Sequence, residues 1–255
     1  MKLILTIFLF VAATLPSIAK SPVTYVGHRG SLWGVENTKA AFINGAKHYP
    51  YLECDIRMTA DSVFVISHDE TTERLGGKLE VAKAPLADLL AEEYLQTRRG
   101  TAYAGRLSTL DEYLTVCRVN GVKPLIEFKW TPGINSDDQS MIPALLEQVK
   151  RHGFIDSCII LTSMRPCLEF VMKNYPNVNV QFLGGAKWKN AMDWIKEHHI
   201  DVDLLHTAVT AEDVKMLHDM GLKVNVWTVD DPVRAAELAE MGVDFITTNS
   251  YFPQE

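Results

Sequence analysis

The sequence is poor in the features that mark several common protein classes. It has four cysteines in 255 residues, Cys54, Cys117, Cys158 and Cys167. None falls in a Cys-x-x-Cys or Cys/His spacing of the kind that holds zinc. A domain of this size does not need disulfides, so a Cys158–Cys167 bridge is an open alternative that is not expected. Basic residues are in deficit: 25 Lys and Arg against 32 Asp and Glu give a net charge of -7. That balance argues against nucleic acid, whose binders carry basic stripes, and against adhesion to anionic membranes. No apolar run approaches the roughly 20 residues needed to span a bilayer. There is no low-complexity segment. Gly27, Gly30 and Gly34, after the first apolar run, do not fit the glycine-rich phosphate loop of an open nucleotide-binding sheet.

What is present begins with a targeting pattern. Lys2 precedes an apolar stretch from Leu3 to Ala13, followed by Pro16, Ser17, Ile18 and Ala19. A short charged start, a brief apolar core and a small-x-small exit read as a cleaved secretory signal over residues 1–19, with a periplasmic or secreted product beginning near Lys20. An uncleaved anchor is the alternative; the absence of a cysteine after the apolar core argues against lipidation. Without Lys2 the net charge becomes -8. About 235 residues remain, enough for one large domain, and a 47% hydrophobic fraction can supply its core. The mature chain is not expected to insert stably in a membrane, and nothing in the pattern sets an oligomeric state.

Apolar runs near residues 25, 53, 126, 160, 181, 204, 226 and 246 read as eight strands. Between the later ones lie helical spacings over 139–152, 168–175, 188–198, 211–220 and 233–241, entered near Pro, Asp or Thr and several left by Gly. Strands and helices alternating at this period imply an α/β fold with a parallel sheet. Eight βα units in this length suit a (β/α)8 TIM barrel, with a doubly wound open sheet as the competitor. One region breaks the rhythm. Residues of about 70–106, after Val63–Ile66, read as a small insertion following the second strand; it carries Gly76, Gly77 and Arg98-Arg99.

The chemistry-bearing residues lie mainly in the first half. Successive side chains of a strand face opposite sides, so Glu53 and Asp55 share one side and Leu52, Cys54 and Ile56 the other. By the same rule Glu127 pairs with Lys129. In a closed barrel the active site lies at the C-terminal ends of the strands, where His28, Asp55 and Lys129 fall. Converging carboxylates must either raise a pKa or hold a cation; oxygen-only ligation favours Ca2+ or Mg2+ over zinc. An internal salt-bridge network with Arg29 and Lys129 is the competing reading. His28 and His68 each follow an apolar strand and could exchange protons near neutral pH. His48, His152, His198, His199 and His218 read as solvated helix residues or helix ends, and His206 closes a strand.

The order of these pieces resembles the glycerophosphodiester phosphodiesterase family. The resemblance rests on Gly27-His28-Arg29-Gly30, Glu36-Asn37-Thr38, Leu52-Glu53-Cys54-Asp55-Ile56-Arg57, Ser67-His68-Asp69, Ser108-Thr109-Leu110-Asp111-Glu112, Ile126-Glu127-Phe128-Lys129 and Val226-Trp227-Thr228-Val229. It implies a barrel with a small inserted subdomain and one divalent cation, Ca2+ or Mg2+, on Glu53, Asp55 and Glu127. It implies Arg29 and Lys129 on the phosphate, Trp227 near the glycerol, and His28 and His68 as the acid–base pair. The substrate would be a small-molecule glycerophosphodiester, cut to glycerol 3-phosphate and an alcohol. The alternatives are a phospholipase D-like relative acting on lysophospholipid or sphingomyelin, and a non-catalytic phosphodiester-binding barrel. Two departures stand out: Val35 where the family has proline, and Thr247-Thr248-Asn249-Ser250 where it has Thr-Asp-x-Pro.

Overall fold

The computed structural model describes residues 23–129 and 141–250. The expected export signal, residues 1–19, lies outside the described residues, as does the start of the helix expected from residue 139. The chain runs β1 (Thr24–Gly27), α1 (Lys39–Gly45), β2 (Tyr51–Met58), β3 (Phe64–Ile66), α2 (Leu86–Ala91), β4 (Tyr94–Arg98), β5 (Thr101–Gly105), β6 (Ser108–Thr109) and α3 (Leu110–Asn120). It continues with β7 (Lys123–Phe128), α4 (Met141–Arg151), β8 (Ile159–Thr162), α5 (Arg165–Asn174), β9 (Asn179–Gly184), α6 (Met192–His198), β10 (Asp201–Leu205), α7 (Ala211–Asp219), β11 (Val224–Trp227), α8 (Pro232–Met241) and β12 (Phe245–Thr248).

Eight of these strands close a parallel barrel in the order β1, β2, β7, β8, β9, β10, β11, β12, and β12 returns to pair with β1. These are the eight expected positions, and the fold is the (β/α)8 barrel. Inward positions low in the barrel are apolar: Val26, Leu125, Ile159, Leu161 and Phe245 pack on one another. Outward positions such as Leu52, Cys54, Ile56 and Ile126 pack against the surrounding helices. Strand parity therefore places Cys54 as expected, buried and away from the carboxylates. All four cysteines are buried thiols, with no Cys158–Cys167 bridge. Among the described residues, no helix is long and apolar enough to cross a membrane.

Helix ends follow local chemistry. Thr109 caps α3 by accepting from Glu112 N–H, and the Glu112 carboxylate accepts in return from Thr109 N–H. Thr210 and Asp213 repeat that device on α7. Residues 188–198 divide into a 3-10 turn, Trp188–Ala191, followed by α6, where the pattern suggested one helix. His152 departs from its expected solvated character: its ring is mostly buried and its Nε2 meets Asp111 Oδ1 at 2.8 Å.

The irregular stretch has its own small core. Val35, Val65, Val81, Leu89, Tyr94 and Leu107 pack together above the barrel rim. The strand β3 joins the edge of β2 beyond the point where β1 leaves it, and β6 joins β3, both antiparallel. The remainder is two 3-10 turns, α2 and the β4–β5 hairpin.

The loop after β1 sits directly on α1. A Cβ added at Gly45 would come 2.2 Å from the carbonyl oxygen of Gly30, and one at Gly27 would come 2.4 Å from the same atom. The loop bearing His28 and Arg29 is thus seated by two close backbone approaches that only glycine allows. Gly45→Ala is expected to lower unfolding free energy by about 1–2 kcal/mol, because overpacking outweighs the better helix propensity of alanine. Urea denaturation measures it; an unchanged or higher midpoint would show that the seat tolerates a side chain.

Candidate active site

The strand geometry that fills the lower barrel with apolar side chains fills its C-terminal mouth with ionisable ones. Glu53 and Asp55 point inward from β2, and Glu127 from the neighbouring β7, where Asp55 and Glu127 are register partners. Carboxylate oxygens of the three lie within 4.8 Å of one another. Lys129 follows β7, and its Nζ lies 2.5 Å from Glu127 Oε1 and 3.1 Å from Asp55 Oδ1. Arg29, in a left-handed conformation with φ 49° after β1, turns its backbone N–H onto Glu53 Oε2 at 2.8 Å. Its guanidinium lies 3.2 Å from Asp55 Oδ2 and 2.7 Å from Glu36 Oε1. Asn37, also at positive φ, donates to Asp55 Oδ2 at 2.8 Å.

These contacts sort the carboxylates. Burial opposes ionisation of Asp55, but Lys129 and Arg29 outweigh it and hold its carboxyl below the usual range. Glu53 has no such cover: burial, then Asp55 and Glu127, push its carboxyl well up. Burial and Asp55 likewise push Glu127 up to about 7, against the pull of Lys129. Glu53 Oε1 is fully buried and has no hydrogen-bond partner. An orphaned buried oxygen within a cluster of hard oxygen donors is what a divalent cation would satisfy, so the three residues fit one. The alternative reading, a closed salt-bridge network, holds for Asp55 and Glu127 but leaves Glu53 outside it.

The two histidines are held differently. His28 Nδ1 lies 3.0 Å from Asn249 Oδ1. That oxygen also accepts from Arg98 Nη2, and the Asn249 amide donates to Asp230 Oδ2 at 2.9 Å. Asn249 therefore presents an acceptor, so His28 carries its proton on Nδ1 and keeps Nε2 as a lone pair. Burial, helped by Arg29, pushes its pKa down to about 4. His68 Nδ1 instead meets the Asp69 carboxylate at 2.6 Å. Burial lowers its pKa while Asp55 and Asp69 oppose the shift. Asp69 is gripped by Arg74 Nε at 2.5 Å. Arg74 also bonds both oxygens of Glu36 at 2.7 and 3.0 Å.

His28, Arg29, Glu53, His68, Glu127, Lys129 and Trp227 all line one cavity of about 130 Å³. Asp55 lies behind it, bound to Arg29 and Lys129. The mouth thus gathers all eight residues singled out in the sequence. Sequence reasoning missed four partners: Asn249 as a tether for His28, Asp69 with Arg74 behind His68, and Asp203 in the cavity wall. Asn249 and Arg74 depend on contacts formed only by folding, whereas Asp69 stands next to His68 in the sequence. Asp203 did leave a signal, a carboxylate between Val202 and Leu204 in a strand covered on both faces.

A family model described as Glycerophosphoryl diester phosphodiesterase family matches residues 26–251. The Bacillus subtilis (strain 168) protein YhdW is 26% identical over 231 residues, which span 88% of this chain and 93% of that one. A glycerophosphodiester phosphodiesterase of Caldanaerobacter subterraneus subsp. tengcongensis is 26% identical over 234 residues, with the same two shares. An Oleispira antarctica phosphodiesterase, solved in complex with its product sn-glycerol-3-phosphate, has the same fold. Its TM-score is 0.76 at 20% identity, over 90% of this chain and 94% of that one.

The sorting of the carboxylates has a measurable consequence. Saturating Ca2+ or Mg2+ should raise the melting temperature by several degrees, since ligand at 100 times its Kd adds about 2.7 kcal/mol. Glu53→Gln should lose that response while being no less stable without metal, because it removes a repelling carboxylate. A wild-type melting curve indifferent to both ions would exclude the cation site.

Proposed function

The chain belongs to the glycerophosphoryl diester phosphodiesterase family and is a glycerophosphodiester phosphodiesterase, and from that premise we propose that it cuts its substrate with a divalent cation on Glu53, Asp55 and Glu127 and with His28 and His68 as the proton-transfer pair. The observation that carries this reading is the convergence of two histidines, two cations, Glu53 and Glu127 on one small cavity, with Asp55 of the same carboxylate trio behind it.

Charge supports it. The three carboxylates, when ionised, exceed Arg29 and Lys129 by one negative charge. One divalent cation reverses that excess, and one phosphodiester anion brings the group to neutrality. When bound, Ca2+ or Mg2+ would neutralise charge on the phosphoryl oxygens and favour ionisation of the attacking hydroxyl. Arg29 and Lys129 reach the same oxygens with charge-assisted hydrogen bonds. Trp227 covers one wall beside the glycerol unit.

The tethers assign the two proton roles. His28, neutral with its lone pair on Nε2, takes the proton of the glycerol 2-hydroxyl as that oxygen attacks phosphorus. His68, backed by the Asp69 carboxylate that favours imidazolium, delivers a proton to the departing alcohol oxygen as the P–O bond breaks. The resulting cyclic phosphate is opened by water with the roles reversed: His68 takes the water proton, and His28 returns one to the 2-oxygen. The products are glycerol 3-phosphate and the alcohol. A periplasmic or secreted location belongs to the same proposal and is supported by the pattern of residues 1–19.

The direct test is release of glycerol 3-phosphate from glycerophosphocholine or glycerophosphoethanolamine. It should require Ca2+ or Mg2+ and stop with a chelator. His28→Ala and His68→Ala should each lower kcat by about 10²–10⁴-fold. Full turnover in chelator, or in either histidine variant, would refute the mechanism.

A second test separates the histidines. Removing the Asp69 charge lowers the pKa of His68, so the protonated acid is lost at lower pH. Asp69→Asn should therefore move the basic limb of the kcat/KM profile to more acidic pH, leaving the acidic limb in place. A basic limb that stays where it was would separate Asp69 from the proton donor.

A further inference from the structure

One ionisable residue of the cavity is left without a task by this mechanism. Asp203 projects inward from the middle of β10, since its neighbours Val202 and Leu204 pack outward against the helices. It is 2% exposed, and its Oδ1 is buried with no hydrogen-bond partner. The polar side chains of the adjoining strands do not supply one. Asn225 donates to Gln181 at 3.3 Å, and Thr247 donates to Asn225 at 3.2 Å, so those three satisfy one another. Trp227 Nε1 donates to the backbone carbonyl of Asp203 at 3.3 Å, not to its carboxyl. A buried, unpaired carboxyl oxygen costs about 1–3 kcal/mol. A group kept at that cost beside a binding cavity points to a partner that arrives with the ligand.

We propose that Asp203 is a specificity residue that hydrogen-bonds a second hydroxyl of the substrate's polyol unit, the one that does not attack phosphorus. The inference rests on the phosphodiesterase reading and deepens it by naming what selects the polyol. The placement suits this role. Asp203 lines the cavity that also holds Glu127, Lys129 and Trp227, so a polyol whose phosphate lies on Lys129 extends its far hydroxyl within that cavity. Leu161 and Leu183 line the same cavity and offer no polar group; Thr228 and Thr247 also line it, and the Thr247 hydroxyl is already given to Asn225. Burial first, and Glu127 second, push the Asp203 carboxyl well up. A protonated carboxyl both donates and accepts, as a hydroxyl does, and is a poor match for an ammonium group. Buried polar groups of this kind reject a substrate that lacks the matching hydroxyl far more strongly than an apolar pocket rejects a missing methylene.

The experiment compares a glycerophosphodiester with its analogue lacking only the terminal hydroxyl, a 2-hydroxypropyl phosphodiester of the same alcohol. Both keep the attacking hydroxyl. The metal-loaded wild-type enzyme should prefer the first by about 100-fold in kcat/KM. Asp203→Leu should cut that preference to a few-fold, chiefly by slowing the full substrate, while Asp203→Asn, of the same shape, should keep part of it. Wild-type enzyme that cleaves both equally would overturn the proposal, as would Asp203→Leu that retains the full preference. Should Asp203→Leu fail to fold, the wild-type comparison together with Asp203→Asn still decides. Failure of wild-type enzyme to cleave either compound is a different result: it removes the phosphodiesterase reading, and this inference with it.

Discussion

Three carboxylates share the mouth of the barrel, their oxygens within 4.8 Å of one another, and the rest of the site is arranged around that repulsion. Such a cluster persists only if cations, protons or a metal offset it. The chain uses two cations of its own, Arg29 on Asp55 and Lys129 between Asp55 and Glu127, and only Asp55 meets both. The asymmetry matters. Glu53 is reached by neither side-chain cation in an ion pair and keeps one buried oxygen without a partner. Two cations against three carboxylates leave the cluster one positive charge short, and Glu53 is where the shortfall lies.

Much of this was legible before folding because it depends on parity. Glu53 and Asp55 two apart, with Cys54 between, can share a side only in a strand, and a barrel then decides which side faces inward. The same argument worked for Glu127 with Lys129. It failed where a role depends on chain segments far apart. Asn249 is 221 residues from the histidine it holds, and no local pattern links them. Arg74 and Glu36 are 38 apart and meet only because the inserted segment folds back over β1. Asp203 is legible only in hindsight of the barrel: it stands alone among apolar residues in a strand whose two faces are both covered.

The departure at the end of the last strand has a physical reading. An asparagine at 249 gives His28 a neutral acceptor, whereas His68 has a charged one in Asp69. Burial lowers the pKa of both imidazoles; Asp69 opposes that shift at His68 with a full charge, and Asn249 opposes it at His28 with an amide dipole. The hairpin β4–β5 takes part in holding that difference. Arg98 donates to Asn249 and to the carbonyl of Ser31, and Arg99 donates to Ser250. The insertion is thus tied into the proton chemistry as well as covering the rim.

That tie spans the whole length of the chain. His28 lies at the end of the first strand and Asn249 just after the last, and they come together when β12 pairs with β1. Contacts of such high sequence separation carry the largest loop-closure cost and form late. A chain still emerging from the ribosome carries Glu53, Asp55, Glu127 and Lys129 before anything can hold His28 in place. The carboxylate cluster has all its members first, and the tether that orients His28 arrives only with β12 and the residue after it.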